Sequence, residues 1–511
     1  MSFTSTHPDV EIPDVTVHDY VLDQISTHGS ATALVDGING AEYSYASLAE
    51  SIAAMAGAFA ARGIAKGDVV AIFSPNSTLY PIVFFGAIMA GATVTTVNAL
   101  YTPREIGHQL TDAGAKILVT VSTFMDRAAP AAKEAGVTEI LDEHTVQELL
   151  AAGHPAPSVG FDPASDVAVL PYSSGTTGLP KGVMLTHRHL VANLAQIRPL
   201  LQNTPEDKLV AILPFFHIYG MVVVMTSSLV TGSTVVTLPR FDLTQFLATL
   251  QNHRITKAFV APPVILAMAK HPIVSDFDLS SLKLLFSGAA PLDADLAAAA
   301  ASRLGVLVQQ GYGMTELSPV SHAASYSEPA TPYGTVGKLV PNTEARLVDV
   351  AAGEDVSIFD TPGELLIRGP QVMKGYLNQP QATAGMLSPD GWLRTGDVAV
   401  AHADGTYSIV DRVKELIKYK GYQVAPAELE AELLTHPEIA DAAVIGIPWE
   451  GDEAPKAFVV RSPGSEVTSE EVLAYIAGRV APHKRVRVVE FIDAIPKSAS
   501  GKILRKELRG A

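Results

Sequence analysis

The stretch Ser173-Ser-Gly-Thr-Thr-Gly-Leu-Pro-Lys-Gly182 decides how the rest of this chain is interpreted. Its three glycines allow a backbone tight enough to bend around phosphate oxygens, with N–H groups pointing inward. Hydroxyl groups add neutral donors, and the lysine adds one compact positive charge. This lysine does not follow a glycine directly, so the spacing is not that of a Walker A loop. The pattern predicts a loop that binds a nucleoside triphosphate through Ser173, Ser174, Gly175, Thr176, Thr177 and Lys181.

The residues on either side of this loop indicate regular structure. The apolar run Val167-Ala-Val-Leu-Pro171 precedes it as a predicted strand, and Val183-Met-Leu-Thr-His187 leads into a predicted helix. From residue 47 to about 318, short apolar runs such as Val69-Val-Ala-Ile-Phe73 alternate with Ala-rich amphipathic segments. This alternation predicts an α/β fold of parallel sheets with helices on their faces. Residues 334–400 are rich in Gly, Pro and Asp, and predict a small antiparallel barrel or sheet attached to that body.

The last hundred residues differ in charge from the rest. Residues 411–511 contain 15 Lys and Arg against 16 Asp and Glu, whereas the whole chain has a net charge of −17. We therefore predict a large N-terminal domain over 1–410 and a small, mobile α+β domain over 411–511. Cations of the small domain would serve an anionic ligand, and a solvated charged surface is the simpler alternative. Thr468-Ser-Glu-Glu471 has the pattern of a capping box and predicts the start of this domain's main helix.

Composition excludes several classes of protein. With 511 residues, of which 48% are hydrophobic and 17% charged, the chain is expected to form two or three globular domains. Its negative charge argues against nucleic acid as the main partner, and the lack of cysteine excludes disulfides and thiolate metal sites. We expect neither a signal peptide nor a peroxisomal C-terminal address. The uncharged run between Asp68 and Arg104 could suggest a membrane span, but its Gly, Thr and Asn residues favour a buried helix and a buried parallel strand.

Further motifs follow the loop in order: Gln310-Gly-Tyr-Gly-Met-Thr-Glu316, Trp392-Leu-Arg-Thr-Gly-Asp397, Asp411-Arg-Val-Lys-Glu-Leu-Ile-Lys418 and Pro496-Lys-Ser-Ala-Ser-Gly-Lys502. Together with the loop, this series resembles the adenylate-forming acyl-CoA synthetase superfamily over essentially the whole chain. Leu213-Pro-Phe-Phe-His-Ile-Tyr219 and Lys418-Tyr-Lys-Gly-Tyr-Gln-Val-Ala-Pro426 are most similar to 4-coumarate or cinnamate–CoA ligases. The resemblance implies an ATP-dependent ligase that converts a cinnamate-type acid to acyl-AMP and then to a CoA thioester, releasing pyrophosphate and AMP.

The chemistry explains why such residues are needed. A carboxylate oxygen is a poor leaving group, so AMP is transferred onto it first, and the anions that meet at the α-phosphorus require positive charge. The resemblance places Lys502 at the substrate carboxylate and α-phosphate, Glu316 on Mg²⁺, and His217 as a gate of the carboxylate pocket. With Thr176, these are the predicted catalytic residues. The nucleotide is also predicted to contact Ala289, Gln310, Gly311, Tyr312, Thr315, Asp397, Arg412, Lys414, Lys418, Gln423 and Lys502.

Within that set, the resemblance assigns both ribose hydroxyls to Asp397 and an adenine slot to Gly288, Ala289 and Ala290, with stacking on Tyr312. Lys414 aligns with the hinge about which the small domain rotates and withdraws Lys502 between half-reactions. The residues predicted to bind CoA are Arg240, Lys420 and Gly421.

The predicted acyl pocket mixes small and apolar residues, and consists of Tyr219, Met221, Val223, Ala289, Gly311, Gly313, Pro319 and Val320. Small residues at its floor leave depth for a flat ring, and Tyr219 can stack on one. Plant hydroxycinnamate ligases tend to have a hydroxylated residue where this chain has Val223. Since an unpaired para-hydroxyl is costly to desolvate, cinnamate should be used at least as well as 4-coumarate.

The expected partners are therefore a small carboxylic acid, ATP with Mg²⁺, and CoA, with no nucleic acid and no membrane. We expect a cytoplasmic monomer or homodimer. A medium-chain fatty acyl-CoA synthetase is a second possibility, because pocket length cannot be read from the residues. The same motifs would also suit an adenylation domain that serves a carrier protein, a luciferase-like oxygenase, or a nucleotide-binding protein without turnover. Carboxylate-dependent release of pyrophosphate, with and without CoA, distinguishes these classes.

Overall fold

Two large sheets with helices on their faces form most of the molecule in a computed structural model, which describes residues 2–173, 180–419, 422–449, 452–499 and 501–509. The strands are, in chain order, β1 Phe3–Thr4, β2 Thr32–Asp36, β3 Glu42–Ser44, β4 Val69–Phe73, β5 Thr93–Thr96, β6 Ala115–Thr120, β7 Glu139–Leu141, β8 Val167–Ser173, β9 Lys181–Thr186, β10 Lys208–Ala211, β11 Thr234–Thr237, β12 Lys257–Val260, β13 Leu284–Ser287, β14 Leu307–Gly313, β15 Val320–Ala323, β16 Lys338–Leu339, β17 Glu344–Val348, β18 Pro362–Arg368, β19 Gly375–Tyr376, β20 Leu393–Ala401, β21 Tyr407–Arg412, β22 Ile417–Tyr419, β23 Tyr422–Val424, β24 Ile439–Trp449, β25 Asp452–Arg461 and β26 Val488–Phe491.

The helices cover the sheet faces and the small C-terminal domain. They are α1 Val17–His28, α2 Tyr45–Ala61, α3 Leu79–Met89, α4 Pro103–Ala113, α5 Met125–Ala135, α6 Glu143–Ala152, α7 His187–Leu201, α8 Ser227–Thr231, α9 Leu243–Asn252, α10 Pro262–Lys270, α11 Ala294–Leu304, α12 Pro380–Met386, α13 Pro426–Leu434, α14 Ser469–Ala477 and α15 Arg505–Leu508.

The first sheet carries the predicted phosphate loop. Among the described residues its strand order is β19-β9-β8-β5-β4-β6-β7, and β4 to β8 pair in parallel. The loop lies between β8 and β9, which form an antiparallel hairpin with Ser173 opposite Lys181. The predicted helix follows as α7, capped by Thr186, whose side chain accepts from the His189 N–H. Strand β9, which separates loop and helix, was not predicted.

The uncharged run forms a buried helix and a buried parallel strand, as predicted. Helix α3 is buried on nearly every side, and β5 follows it in the first sheet. A Cβ at Gly86 would lie 2.7 Å from the Cβ of Met55, so this glycine allows α3 to pack closely on α2. Within the described part of the chain, no helix is both long and apolar enough to span a membrane.

The second large sheet has the order β16-β15-β14-β13-β12-β10-β11-β2-β3 over the described residues, and its central strands are parallel. Strands β13 and β14 end side by side, with Ser287 opposite Gln310. The carboxyl ends of adjacent parallel strands form a crevice in which α/β proteins bind ligands. Residues 288–292 leave the sheet at this edge, whereas residues 311–313 continue β14 and pair with β15 before the chain turns at 314–316.

A smaller antiparallel sheet, β1-β17-β18-β20-β21 in the described chain, follows the α/β body as predicted. Its last pair places Asp397 of β20 opposite Arg412 of β21. The predicted boundary between residues 410 and 411 therefore falls inside β21, and it stays a prediction. The C-terminal part forms an α+β unit in which α13 and α14 pack with the β24-β25-β26 sheet around Leu429, Val459 and Val472. The predicted α/β fold class, with a large N-terminal and a small C-terminal domain, is confirmed.

Candidate active site

A short hairpin carries Lys502 from the small domain onto the large one. Lys497 and Ile503 form an isolated bridge across it, the Ser498 N–H donates to the Lys502 carbonyl at 2.8 Å, and the Lys502 N–H donates to Ser498 Oγ at 3.1 Å. Gly501 has a φ of +83°, and a Cβ there would lie 3.1 Å from the Cβ of Ala261. The hairpin tip therefore contacts the large domain just before α10.

The Lys502 ammonium lies among charged groups of both domains. Burial, followed by the positive charge of Arg412, lowers its pKa to about 8, while Asp397 and Glu316 act in the opposite direction. Such coupling requires these side chains to lie near one another. The structure thus brings Lys502, Asp397, Arg412 and Glu316, all predicted from motifs far apart in the sequence, into one site.

Asp397 is held from two sides. Its carboxylate is 8% exposed, and its Oδ2 accepts from the Tyr312 hydroxyl at 2.5 Å. On the other side Oδ1 lies 3.4 Å from Nε of Arg412. Burial, and then Asp397, raises the pKa of Tyr312 well above its ordinary value, so the phenol stays protonated as a donor. This carboxylate is held in one orientation, as hydrogen bonding to two ribose hydroxyls would require.

Glu316 forms a second anchored carboxylate. It is 5% exposed, and its Oε1 accepts from Ser173 Oγ at 3.0 Å and from the Tyr376 hydroxyl at 2.8 Å. The Lys181 ammonium lies 4.9 Å from the centre of the Tyr376 ring. One end of the predicted loop therefore contacts Glu316 through Ser173, and the other lies next to Tyr376 through Lys181. Tyr376 was not predicted from the sequence, where its only signal is an aromatic residue after the glycine of β19.

The donor set around Glu316 is compatible with a magnesium ion held mainly by a nucleotide. Mg²⁺ commonly takes one or two carboxylates, several waters and substrate phosphates. Within the part of the chain that is described, no group of three or more His, Cys, Asp or Glu side chains could form a dedicated metal site. A single carboxylate beside a phosphate loop fits this chemistry.

His217 is half-buried at the same centre. Burial, and after it the positive charge of Lys502, lowers the pKa of His217 to about 4. Its Nδ1 accepts from the Tyr219 N–H at 3.3 Å. The imidazole is therefore neutral at neutral pH, and its proton lies on Nε2. His217 is therefore better suited to gate the pocket or to orient the acid than to supply a second positive charge beside Lys502.

Four of the predicted acyl-pocket residues, Tyr219, Met221, Val223 and Val320, lie in or against one apolar cluster. Tyr219 begins the π-helical segment Tyr219–Thr226, which also contains Met221 and Val223, each 1% exposed. The Tyr219 hydroxyl donates to the Phe286 carbonyl at 3.2 Å. These residues belong to one apolar cluster with Phe286, and Val320, Tyr312 and Met314 pack against it.

Three glycines allow close packing in this region. A Cβ at Gly288 would lie 2.8 Å from the Tyr219 ring, one at Gly311 would lie 2.9 Å from the Phe286 ring, and one at Gly313 would lie 2.2 Å from the Pro319 carbonyl oxygen. Contacts this short cannot be accommodated without movement of the ring or the backbone. Gly288, Gly311 and Gly313 therefore allow two aromatic rings and the turn before β15 to pack against the β13–β14 edge.

In the predicted adenine slot, the Gln310 side chain hydrogen-bonds to the protein backbone. Gln310 uses its side-chain oxygen to accept from the Leu292 N–H at 3.2 Å, and its amide nitrogen donates to the Leu292 carbonyl at 3.2 Å. It thereby fastens residues 288–292 to β14, and acts on that loop through hydrogen bonds. Ala289 is exposed on this loop with a φ of +73°.

The remaining predicted residues are less closely grouped. Thr315 begins the short turn Thr315–Leu317 that presents Glu316, and Lys418 stands opposite Gln423 in the β22–β23 pair, where both are exposed. Lys414 is exposed between β21 and β22, and Arg240 is exposed beyond β11. Six predicted residues lie outside the described residues, namely Ser174, Gly175, Thr176, Thr177, Lys420 and Gly421.

Comparison with known proteins identifies the family to which this chain belongs. Residues 21–377 match the AMP-binding enzyme family, and residues 428–502 match the AMP-binding enzyme C-terminal domain. The chain is 42% identical to 4-coumarate–CoA ligase 2 of Nicotiana tabacum, covering 99% of this chain and 96% of that protein. It is 41% identical to 4-coumarate–CoA ligase 3 of Oryza sativa subsp. japonica, covering 99% and 94%. The anthranilate CoA ligase AuaEII, solved in complex with anthranoyl-AMP, superposes with a TM-score of 0.90 at 26% identity, covering 98% of this chain and 97% of that chain.

Proposed function

The chain belongs to the AMP-binding enzyme family and is an acid–CoA ligase that works through an acyl-AMP, and we propose that its acid is an aromatic one of the cinnamate type. The observation that carries the proposal is the position of Lys502. The half-buried Lys502 side chain lies among Asp397, Arg412 and Glu316, and next to His217, which precedes the apolar segment that begins at Tyr219. Activation of an apolar carboxylic acid needs a positive charge for the reacting anions and, beside it, an apolar surface for the acyl group.

In the first half-reaction a carboxylate oxygen of the acid forms a bond to the α-phosphorus of ATP, and the bond from that phosphorus to the pyrophosphate oxygen breaks. The products are acyl-AMP and pyrophosphate. Lys502 supplies a positive charge where the two anions meet, and the surrounding protein strengthens its effect by excluding water. Asp397 accepts hydrogen bonds from the ribose hydroxyls and so fixes the α-phosphate in line with the acid.

Glu316, oriented by Ser173 and Tyr376, is the residue that would hold Mg²⁺. When bound with ATP, the ion neutralises phosphate charge and favours departure of pyrophosphate. Lys181 lies next to this centre and adds a second positive charge on the phosphate side. His217 stays neutral and shapes the entrance for the carboxylate.

In the second half-reaction the CoA sulfur attacks the acyl carbon, the bond from that carbon to the AMP oxygen breaks, and the thiol proton is released. Lys502 is not needed for this step, so rotation of the small domain about Lys414 can withdraw it. Lys420, Gly421 and Arg240 are proposed to bind CoA, and Lys418 and Gln423 to face the adenylate. Since ATP and CoA are cytoplasmic metabolites, we place the reaction in the cytoplasm.

The cinnamate-type acid is supported by the relatives and by the pocket. Two relatives are 4-coumarate–CoA ligases, and a structural neighbour holds an aromatic acyl-AMP. Tyr219 and Phe286 place two aromatic rings in the proposed acyl region, and an aromatic acid packs favourably against such rings. Val223 offers no hydroxyl for a para-hydroxyl of the substrate. We therefore expect the specificity constant for cinnamate to equal or exceed that for 4-coumarate.

A panel of acids tests this proposal. Purified enzyme is incubated with ATP, Mg²⁺ and each acid, with and without CoA, and pyrophosphate release, hydroxamate trapping of acyl-AMP and thioester absorbance are measured. We expect cinnamates to exceed medium-chain fatty acids, and free CoA to complete the reaction. A protein that consumes no ATP with any acid contradicts the function, and a preference for medium-chain acids contradicts the substrate class.

Matched valine substitutions test the pocket argument. Val223→Thr replaces a methyl group by a hydroxyl at nearly constant volume, and is expected to raise the 4-coumarate to cinnamate ratio by about tenfold if the hydroxyl pairs with the substrate. Val224→Thr makes the same chemical change at the next, equally buried position and serves as the control. A hundredfold preference of the wild type for 4-coumarate, or equal ratios in the two variants, contradicts the role of Val223.

A further inference from the structure

The C-terminal arm of the Lys502 hairpin is fastened by an arginine that the proposed reaction does not use. Arg505 begins α15, and its Nη2 donates to both carboxylate oxygens of Glu430, at 2.7 and 2.8 Å. Its Nε donates to the Val444 carbonyl at 3.1 Å. Glu430 in turn accepts from the Val444 N–H at 2.8 Å. One guanidinium thus joins the hairpin to helix α13 and to strand β24.

This ion pair is unusually well shielded for a small domain. The side chains of Arg505 and Glu430 are 14% and 11% exposed, and the buried carboxylate of Asp411 adds a second negative charge nearby. Asp411 accepts from the Ala427 N–H at 2.9 Å, at the start of α13. A buried ion pair is weak evidence for stability, because desolvation offsets much of the attraction. The directional hydrogen bonds of Arg505 are better explained by a need to hold the hairpin in one orientation.

The anchor lies close enough to Lys502 to control where the ammonium lies. The backbone from residue 502 to residue 505 can span at most about 10 Å, since an extended residue covers roughly 3.3–3.6 Å. The Leu504 N–H donates to the Pro496 carbonyl at 2.9 Å, which joins the two arms at the base of the hairpin. The opposite arm is held to β24 by the ion pair of Lys497 with Asp441. The hairpin can therefore move only as a rigid part of the small domain.

We propose that Arg505 is a positioning residue for acyl-AMP formation: its fork to Glu430 and the Val444 carbonyl fixes the hairpin so that domain closure delivers Lys502 to the site in one orientation. This inference rests on the proposed function, in which Lys502 serves only the first half-reaction. Arg505 acts through Lys502 and does not contact substrate. Its contribution should therefore be visible in adenylation and absent from thioester formation.

Arg505→Lys tests the proposal because it keeps the positive charge and removes the fork. One ammonium cannot donate along the three directions that the guanidinium uses. We expect kcat for acid-dependent pyrophosphate release to fall by about 10–100-fold, with KM values for ATP and acid within about threefold of wild type. Thioester formation from supplied cinnamoyl-AMP and CoA should stay within about twofold.

A second arginine fork provides the matched control. Arg368 donates through Nε and Nη2 to Glu344 in the antiparallel sheet of the large domain, away from the hairpin. Arg368→Lys should leave both half-reactions unchanged. Glu430→Gln, which removes the other charge of the anchor, should reproduce the selective loss and is the variant to use if Arg505→Lys does not fold, as judged by thermal melting.

The outcomes separate positioning from a structural role. Loss of both half-reactions together would assign Arg505 to the stability of the small domain, because that domain serves both steps. Unchanged adenylation in Arg505→Lys and Glu430→Gln would also overturn the proposal. If the wild type itself forms no acyl-AMP, the proposed function fails; if the wild type forms acyl-AMP and the variants equal it, only the role of Arg505 fails.

Discussion

Adenylation by this enzyme should decline as the pH rises through about 8, because Lys502 then loses its proton. An exposed lysine titrates near 10.5, and burial together with the charge of Arg412 lowers the pKa of Lys502 to about 8. The groups that face this ammonium are Arg412 and Arg505, which lower its pKa, and Asp397 and Glu316, which raise it. The sum of these effects leaves the cation half-populated in mildly alkaline solution.

The size of the decline follows from the protonated fraction. With a pKa of about 8, only roughly 9% of Lys502 is protonated at pH 9, whereas a lysine with an ordinary pKa stays about 97% protonated. The pH profile of kcat/KM for ATP reports groups of the free enzyme, so it is the quantity to measure. We expect this constant to fall about tenfold per pH unit above pH 8, in assays of acid-dependent ATP–pyrophosphate exchange.

Lys502→Arg supplies the control, because a guanidinium stays charged throughout this range. Its activity should be lower than that of the wild type, and its alkaline decline should be absent. Thioester formation from supplied cinnamoyl-AMP should not fall between pH 8 and 9, since Lys502 is withdrawn in that step. A wild-type profile that stays flat to pH 10, or a Lys502→Arg profile that keeps the decline, would refute the assignment of this titration to Lys502.

Three further substitutions test separate parts of the site. Lys502→Ala should reduce adenylation by on the order of 10²–10³-fold, while thioester formation from supplied acyl-AMP stays largely intact. Loss of both half-reactions together would contradict the two-conformation mechanism. Tyr312→Phe removes the hydroxyl that donates to Asp397. Because a charge-assisted hydrogen bond contributes about 1.5–3 kcal/mol, the KM for ATP should rise about tenfold or more. An unchanged KM for ATP would show that Asp397 does not need this donor. Gly288→Ala forces the Tyr219 ring to move and should raise the KM for the acid about tenfold, whereas Gly107→Ala, whose Cβ would approach nothing closer than 3.8 Å, should leave it unchanged. Equal acid KM values in the two alanine variants would show that the Tyr219 ring does not line the acyl pocket.

Features that depend on local pattern could be predicted from the amino-acid sequence. The apolar runs around Val69 and Leu284 became parallel strands, and the uncharged segment before Arg104 became a buried helix and strand. The capping box at Thr468 starts α14 as predicted. Such signals are readable because apolar spacing and capping involve neighbours within a few residues. The ordered motifs likewise identified the family.

Only the tertiary structure decided which distant groups meet and how much water surrounds them. Strand β9 could not be foreseen, because it pairs with β8 across the loop and with β19 nearly two hundred residues later. The hydrogen bonds from Ser173 and Tyr376 to Glu316, and the fork from Arg505 to Glu430, join segments far apart in the chain. The lowered pKa of Lys502 has the same origin: a pKa depends on the desolvation and the charges that a folded environment imposes, and no local pattern specifies these.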